Sequence, residues 1–178
     1  RRSSDLSDHS LADAEELSNN LGIGFQVVPI EAIHKAYEQA LAAPLGQDLA
    51  KADENVQARI RGNLVMAVSN ARGHLALATG NKSELSTGYC TLYGDMAGAL
   101  APIGDVPKTL IYQLAEQLNA EAGCDRIPRR SITKPPSAEL KPNQLDQDKL
   151  PPYDLLDAIL QRYIEEDKTA EQIVAEGY

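Results

Sequence analysis

Apolar residues recur at helical spacing in several stretches of this chain, and short β-favouring runs separate them. Leu11, Ala14, Leu17 and Leu21 form a first stripe after a polar opening of nine residues. Ser10 precedes the stripe with Asp13 three residues on, the spacing of a capping box, and Gly22 closes it. Phe25 to Ile30 predicts a buried strand. Ile33, Tyr37 and Leu41 predict a second helix that stops near Pro44 and Gly46. A third, from about Asp53 to Arg72, carries Val56, Ile60, Leu64 and Val68 on one face and ends at Gly73. His74 to Thr79 predicts a second strand, and Ala99 to Ile103 a weaker third.

This alternation predicts an α/β fold, a parallel sheet flanked by helices. Two strands are too few for such a sheet, and the opening helix needs a strand to cross over from. The expectation is a sheet incomplete at its N-terminal side and a parent protein that continues upstream of Arg1. Asp105 reads as an N-cap, with Val106 and Pro107 entering a helix in which Leu110, Leu114 and Leu118 stack. Residues 123–150 are rich in proline and charge and lack periodicity, as in a functional loop or a flexible linker. Pro151 or Pro152 opens a helix with Leu155, Leu156, Ile159, Leu160 and Ile164, and Thr169 to Glu176 adds a last turn or two. No internal repeat is evident.

At 178 residues, 43% apolar and 24% charged, the chain fits one soluble globular domain. With one Phe and no Trp, aliphatic residues must build the core. The longest apolar run, Leu64 to Val68, cannot span a bilayer, and no charged-then-apolar leader precedes it, so no membrane role is expected. Cys90 and Cys124 lack CxxC spacing, which fits reduced thiols in a cytoplasm better than a disulfide or zinc site. A net charge of −9 argues against nucleic-acid binding. It also means that any nucleotide site needs a local cluster of cations, backbone N–H groups and a divalent metal ion.

Open α/β sheets bind ligands beyond the carboxyl ends of their strands. There the sequence has Thr79-Gly80-Asn81-Lys82-Ser83-Glu84, with hydroxyls at Thr79 and Ser83 and a hard oxygen ligand for Mg²⁺ at Glu84. The plainer alternative is a strand-to-helix turn in which Asn81 caps and Glu84 favours the helix start. Asp95 either orients a ligand or stabilises a turn at Gly94. Lys108 stands in a first helical turn, either as a phosphate ligand or as a solvated lysine. Arg59 and Arg61 lie on the polar side of the third helix and suit an anion or nearby acids. Lys134-Pro135-Pro136-Ser137 is either a flap over phosphate or a stiff loop. His9, His34 and His74 show no metal spacing or nucleophile–base pattern.

Several of these segments, in order, resemble the NAD synthetase family. They are Asn55-Val56-Gln57-Ala58-Arg59, Thr79 to Glu84, and Gly88-Tyr89-Cys90-Thr91-Leu92-Tyr93-Gly94-Asp95-Met96. Asp105-Val106-Pro107-Lys108-Thr109, Lys134 to Leu140, and Asp146-Gln147-Asp148 running into Leu150-Pro151-Pro152-Tyr153-Asp154 continue the series. The resemblance covers roughly residues 7–178. It is most similar to the glutamine-dependent branch, in which a nitrilase-like amidase domain precedes the synthetase domain. It implies the adenine-nucleotide alpha-hydrolase-like fold of ATP pyrophosphatases, with 1–178 part of one synthetase domain and 123–150 a mobile active-site loop. The Asp-Val-Pro-Lys-Thr and Lys-Pro-Pro-Ser-Ala-Glu-Leu segments argue against a GMP-synthetase-like relative of the same fold.

The resemblance implies a ligase with ATP as co-substrate and Mg²⁺ as cofactor. The nicotinate carboxylate of deamido-NAD is adenylated with release of pyrophosphate, and ammonia then gives NAD and AMP. It implies that Glu84 binds Mg²⁺ and the ATP phosphates, Thr79 and Ser137 contact ATP, and Lys108 is the catalytic lysine on the leaving phosphates. Asn55, Arg59 and Asp95 are implied to face deamido-NAD. A homo-oligomer and a cytoplasmic location follow from the same likeness. Leu92 stands where ammonia-dependent members often carry Lys, and Ala99 where they carry an acid. The family's Ser-Gly-Gly-x-Asp-Ser pyrophosphate loop does not occur in the chain, so the activity is expected of the parent protein and not of the isolated chain. Further charged helical sequence, which relatives carry after the position of Tyr178, is expected beyond it as well. The alternative is a truncated, non-catalytic module that binds a nucleotide or serves in assembly.

Overall fold

The computed structural model describes residues 8–141 and 143–178. Among them, helices dominate. In order they are α1 (Asp8–Leu21), α2 (Glu31–Leu45), α3 (Leu49–Arg72), α4 (Lys82–Thr87), α5 (Lys108–Ala122), α6 (Arg129–Thr133), α7 (Tyr153–Leu160) and α8 (Ala170–Ala175). Glycines at positive φ stop several of them, at Gly22, Gly73, Gly88 and Gly123, where a left-handed residue frees the last carbonyls to be bonded. No described helix is long and apolar enough to cross a membrane.

The packing follows the burial. α2 lies against α3, α1 against α6, and α4, α5 and α7 pack against one another. Buried apolar residues are Ala58 and Ile60 of α3, Ala76 and Ala78 of the following extended segment, Tyr153 and Leu156 of α7, and Ile173 of α8. Small side chains on α3 let the loop after α4 come close. A Cβ on Gly62 would sit 2.8 Å from the Gly94 carbonyl oxygen, and one on Gly94 2.9 Å from the Ala58 methyl.

The expected sheet is reduced to its smallest unit. Leu77 and Leu100 form a parallel bridge, with the Ala78 N–H donating to the Leu100 carbonyl at 2.9 Å and the Ala99 N–H to that of Ala76 at 2.9 Å. The segments at 74–79 and 99–103 thus pair in the expected sense, but no strand forms among the described residues. The reason lies in the ladder, because only one edge of the 76–78 backbone is bonded. The Phe25 to Ile30 run, predicted as a buried strand, has no ladder partner among the described residues, and Phe25, Val27 and Val28 are exposed.

Three local expectations also change. α1 begins at Asp8, so Ser10 is not its cap; its hydroxyl donates instead to Glu139 Oε1 at 2.6 Å. Pro107 and not Asp105 caps α5, and Asp105 is an exposed ion-pair partner of Lys82 at 2.8 Å. Leu110, Leu114 and Leu118 line one face of α5, but that face is exposed, and burial falls on Asn119 instead.

Candidate functional site

The Thr79–Glu84 segment turns out of the extended run directly into α4. Asn81 is 2% exposed and caps that helix: its side-chain oxygen accepts from the Glu84 N–H at 3.0 Å, while Glu84 Oε2 accepts from the Asn81 N–H at 3.2 Å. The plain capping role of this turn is therefore realised. It uses only one carboxylate oxygen of Glu84. The other, Oε1, lies 3.3 Å from Lys108 Nζ on α5.

Lys108 is held from both ends. Its backbone N–H donates to Ser83 Oγ at 2.9 Å, and its ammonium lies 5.6 Å and 6.0 Å from the ring centres of Tyr153 and Tyr112. Ser83, a candidate ligand hydroxyl in sequence, is wholly buried and donates to Asp157 Oδ1 of α7. Asp157 Oδ2 accepts from both the N–H and the hydroxyl of Thr109, at 2.9 and 2.8 Å. One buried carboxylate thus ties together the starts of α4 and α5. Sequence periodicity gave no sign of it, since Asp157 stands inside an apolar helix without a motif.

Around this pair lies a cavity of about 370 Å³, lined by Thr79, Glu84, Asp95, Lys108 and Ser137 among others. Five residues singled out in the sequence therefore converge although they come from four separate segments. Ser137 also organises its own loop, its hydroxyl accepting from the Glu139 N–H at 3.1 Å. Asp95 closes the turn before it by accepting from the Thr91 N–H at 2.7 Å. Asn55 lines an adjoining recess of about 160 Å³ that shares Asp95, and its side-chain oxygen accepts from the Thr91 hydroxyl at 2.9 Å. Arg59 lies outside both, exposed, with Nε donating to the Leu92 carbonyl at 3.2 Å. Its neighbour Arg61 lines the larger cavity instead.

The cavity also holds polar groups that stand in the quoted motifs but to which the sequence assigns no role. Asp146, 3% exposed, accepts from the Tyr153 hydroxyl at 2.8 Å through Oδ2, and its backbone N–H donates to the Pro136 carbonyl at 3.0 Å. It thereby joins the Lys134–Ser137 loop to α7. Asp146 Oδ1 and the Tyr89 hydroxyl are buried without a partner among the described residues. Burial, then the Asp146 charge at Tyr89 and the hydrogen bond to Asp146 at Tyr153, pushes both hydroxyls far above the ordinary tyrosine range. Burial likewise raises the Cys90 thiol, with the Asp95 and Glu84 carboxylates adding to it. The site can present the cations of Lys108 and Arg61 and several hard oxygens to a bound anion and a divalent metal ion.

A family model described as NAD synthase matches residues 3–178. A glutamine-dependent NAD(+) synthetase of Synechocystis is 55% identical over 97% of this chain, which spans 31% of that relative's length. The chain accordingly spans about a third of the curated relatives it matches. Among solved structures, the glutamine-dependent NAD+ synthetase of Acinetobacter baumannii in complex with ADP is 43% identical, with a TM-score of 0.68 over 97% of this chain and 30% of that one. NMN synthetase of Francisella tularensis is 27% identical, with a TM-score of 0.75 over 87% of this chain and 61% of that one.

Proposed function

The chain belongs to the NAD synthase family, and on that premise we propose that it carries the phosphate and metal side of a ligase site that converts deamido-NAD to NAD at the expense of ATP. The observation that carries this reading is the meeting of Glu84 Oε1 and Lys108 Nζ, 3.3 Å apart, on one cavity with Thr79 and Ser137. Lys108 binds the phosphate oxygens that leave as pyrophosphate and stabilises the charge growing on them. The Thr79 and Ser137 hydroxyls donate to ATP. The tyrosine rings beside Lys108 hold its ammonium by cation–π attraction and so place it for an anion.

The donor set fits Mg²⁺. Glu84 offers a hard carboxylate oxygen to the cavity, and the buried Asp146 Oδ1, without a partner, lines the same space. Bound at Glu84, Mg²⁺ would supply charge neutralisation between the phosphates. Asn55 and Asp95 face deamido-NAD in this reading, with the recess around them as its entry, and Arg59, bonded outside that recess to the Leu92 carbonyl, meets the ligand by releasing that bond. Nitrogen arrives as ammonia released from glutamine by an amidase domain of the same protein, in keeping with the names of the most similar relatives. Residues 123–150 act as the active-site loop, and Asp146 anchors its far end.

Product analysis tests the proposal in the protein that carries this chain. ATP, deamido-NAD and ammonia should yield NAD, AMP and pyrophosphate in equal amounts. Formation of ADP and phosphate, or turnover of nicotinate mononucleotide in preference to deamido-NAD, would overturn it.

A further inference from the structure

We propose a divalent transition-metal site between α2 and α3, built from His34, Glu38 and Asp53 and apart from the ligase cavity. The three side chains offer one imidazole nitrogen and two carboxylate oxygens, and these atoms lie within 4.8 Å of one another. His34 and Glu38 stand four residues apart on α2, so both project from one face of that helix toward Asp53 on α3. His34 Nε2 lies 2.7 Å from Asp53 Oδ1. Two ligands of one tetrahedral Zn²⁺ at about 2.0–2.2 Å each stand roughly 3.3–3.6 Å apart, so an ion enters as His34 and Asp53 part by under about 1 Å and the wider-set atoms close by about 1 Å, within the reach of side-chain rotation.

The surroundings favour this use. The three residues open on a recess of about 520 Å³, which gives an ion access and leaves room for water in its open positions. Asp53 is oriented from behind, because Gln57 Nε2 donates to its Oδ2 at 3.0 Å. Gln57 is 3% exposed, lines the same recess, and its Oε1 is buried with no partner. Glu38 has no hydrogen-bond or ion-pair partner among the described residues, so nothing competes for its carboxylate. A hydrogen bond from His34 to Asp53 alone explains neither the convergence of Glu38 nor the open recess. Two carboxylates draw a cation to the set, and Lys141, which lines the recess, is ion-paired with Glu54.

The imidazole selects the ion. A nitrogen donor with two oxygens suits Zn²⁺ and its first-row neighbours and not Mg²⁺ or Ca²⁺. Binding there clamps α2, which buries no residue fully, onto α3, the helix that carries Asn55 and Arg59.

The test is calorimetric titration of chelator-treated protein with Zn²⁺ at neutral pH. One ion per chain should bind saturably and resist excess Mg²⁺. His34→Ala and Glu38→Gln should each weaken it at least about tenfold, while His74→Ala leaves it unchanged. Glu38 is exposed, so its variant folds, and far-UV circular dichroism checks both. Co²⁺ in place of Zn²⁺ should give visible bands without a near-ultraviolet thiolate band. The absence of saturable binding overturns the proposal, as do affinity unchanged in both variants, displacement by Mg²⁺, or a thiolate band assigning the ion to Cys90 or Cys124.

Discussion

The Ser83 hydroxyl donates to Asp157 Oδ1 across 74 residues of sequence, and both groups are buried. Ser83 Oγ in turn accepts from the Lys108 N–H, and Asp157 Oδ2 from Thr109. The spacing between Glu84 and Lys108 is therefore set by a carboxylate that touches neither. Asp157→Ala removes it and leaves the Ser83 hydroxyl and both the N–H and the hydroxyl of Thr109 without that acceptor. Hydrogen bonds to charged groups contribute about 1.5–3 kcal/mol each, so the expected loss is at least about 4 kcal/mol. Thermal or urea denaturation checks it against Asp154→Ala, an exposed neighbour that should change stability by less than about 0.5 kcal/mol.

Tyr153→Phe should loosen the loop. Without the hydroxyl, Asp146 Oδ2 loses its partner and both carboxylate oxygens stand buried and unpaired. The expected cost is about 1–3 kcal/mol. Faster protease cleavage between Lys134 and Asp146 is the readout. Cleavage at the wild-type rate would mean that the Asp146–Tyr153 bond does not hold the loop.

Cys90 should be the slow thiol. The thiolate is the reacting form, and burial with two nearby carboxylates raises the Cys90 pKa, so less thiolate exists at any given pH. Cys124 is exposed. Iodoacetamide at pH 8, followed by peptide mass spectrometry, should modify Cys124 well before Cys90. The reverse order would place Cys90 in a different environment.

Much of this site was legible in the sequence because its parts are local. Thr79 to Glu84 is a turn with its own capping chemistry, and Lys108 marks the start of a periodic helix. What periodicity does not encode is which helix faces which. The Leu110, Leu114 and Leu118 stripe was legible as a helix face, yet it is exposed, because burial depends on a partner surface. The Phe25 to Ile30 run fails as a strand for the same reason, since a ladder needs a second backbone. Arg59 and Arg61 differ by two residues on one helix, a rotation of about 200°, and the structure directs Arg61 and not Arg59 into the larger cavity. Asp157 is not legible as scaffold because its partners, Ser83 and Thr109, are distant in sequence.

The most direct test of the central claim is the Mg²⁺ dependence of NAD formation by the protein that carries this chain, measured for wild type and Glu84→Ala. If Glu84 holds the metal ion beside Lys108, the variant should lose at least about a hundredfold in turnover, the scale of one lost electrostatic stabiliser, and excess Mg²⁺ should restore part of it. An unchanged rate with an unchanged Mg²⁺ requirement would contradict the account.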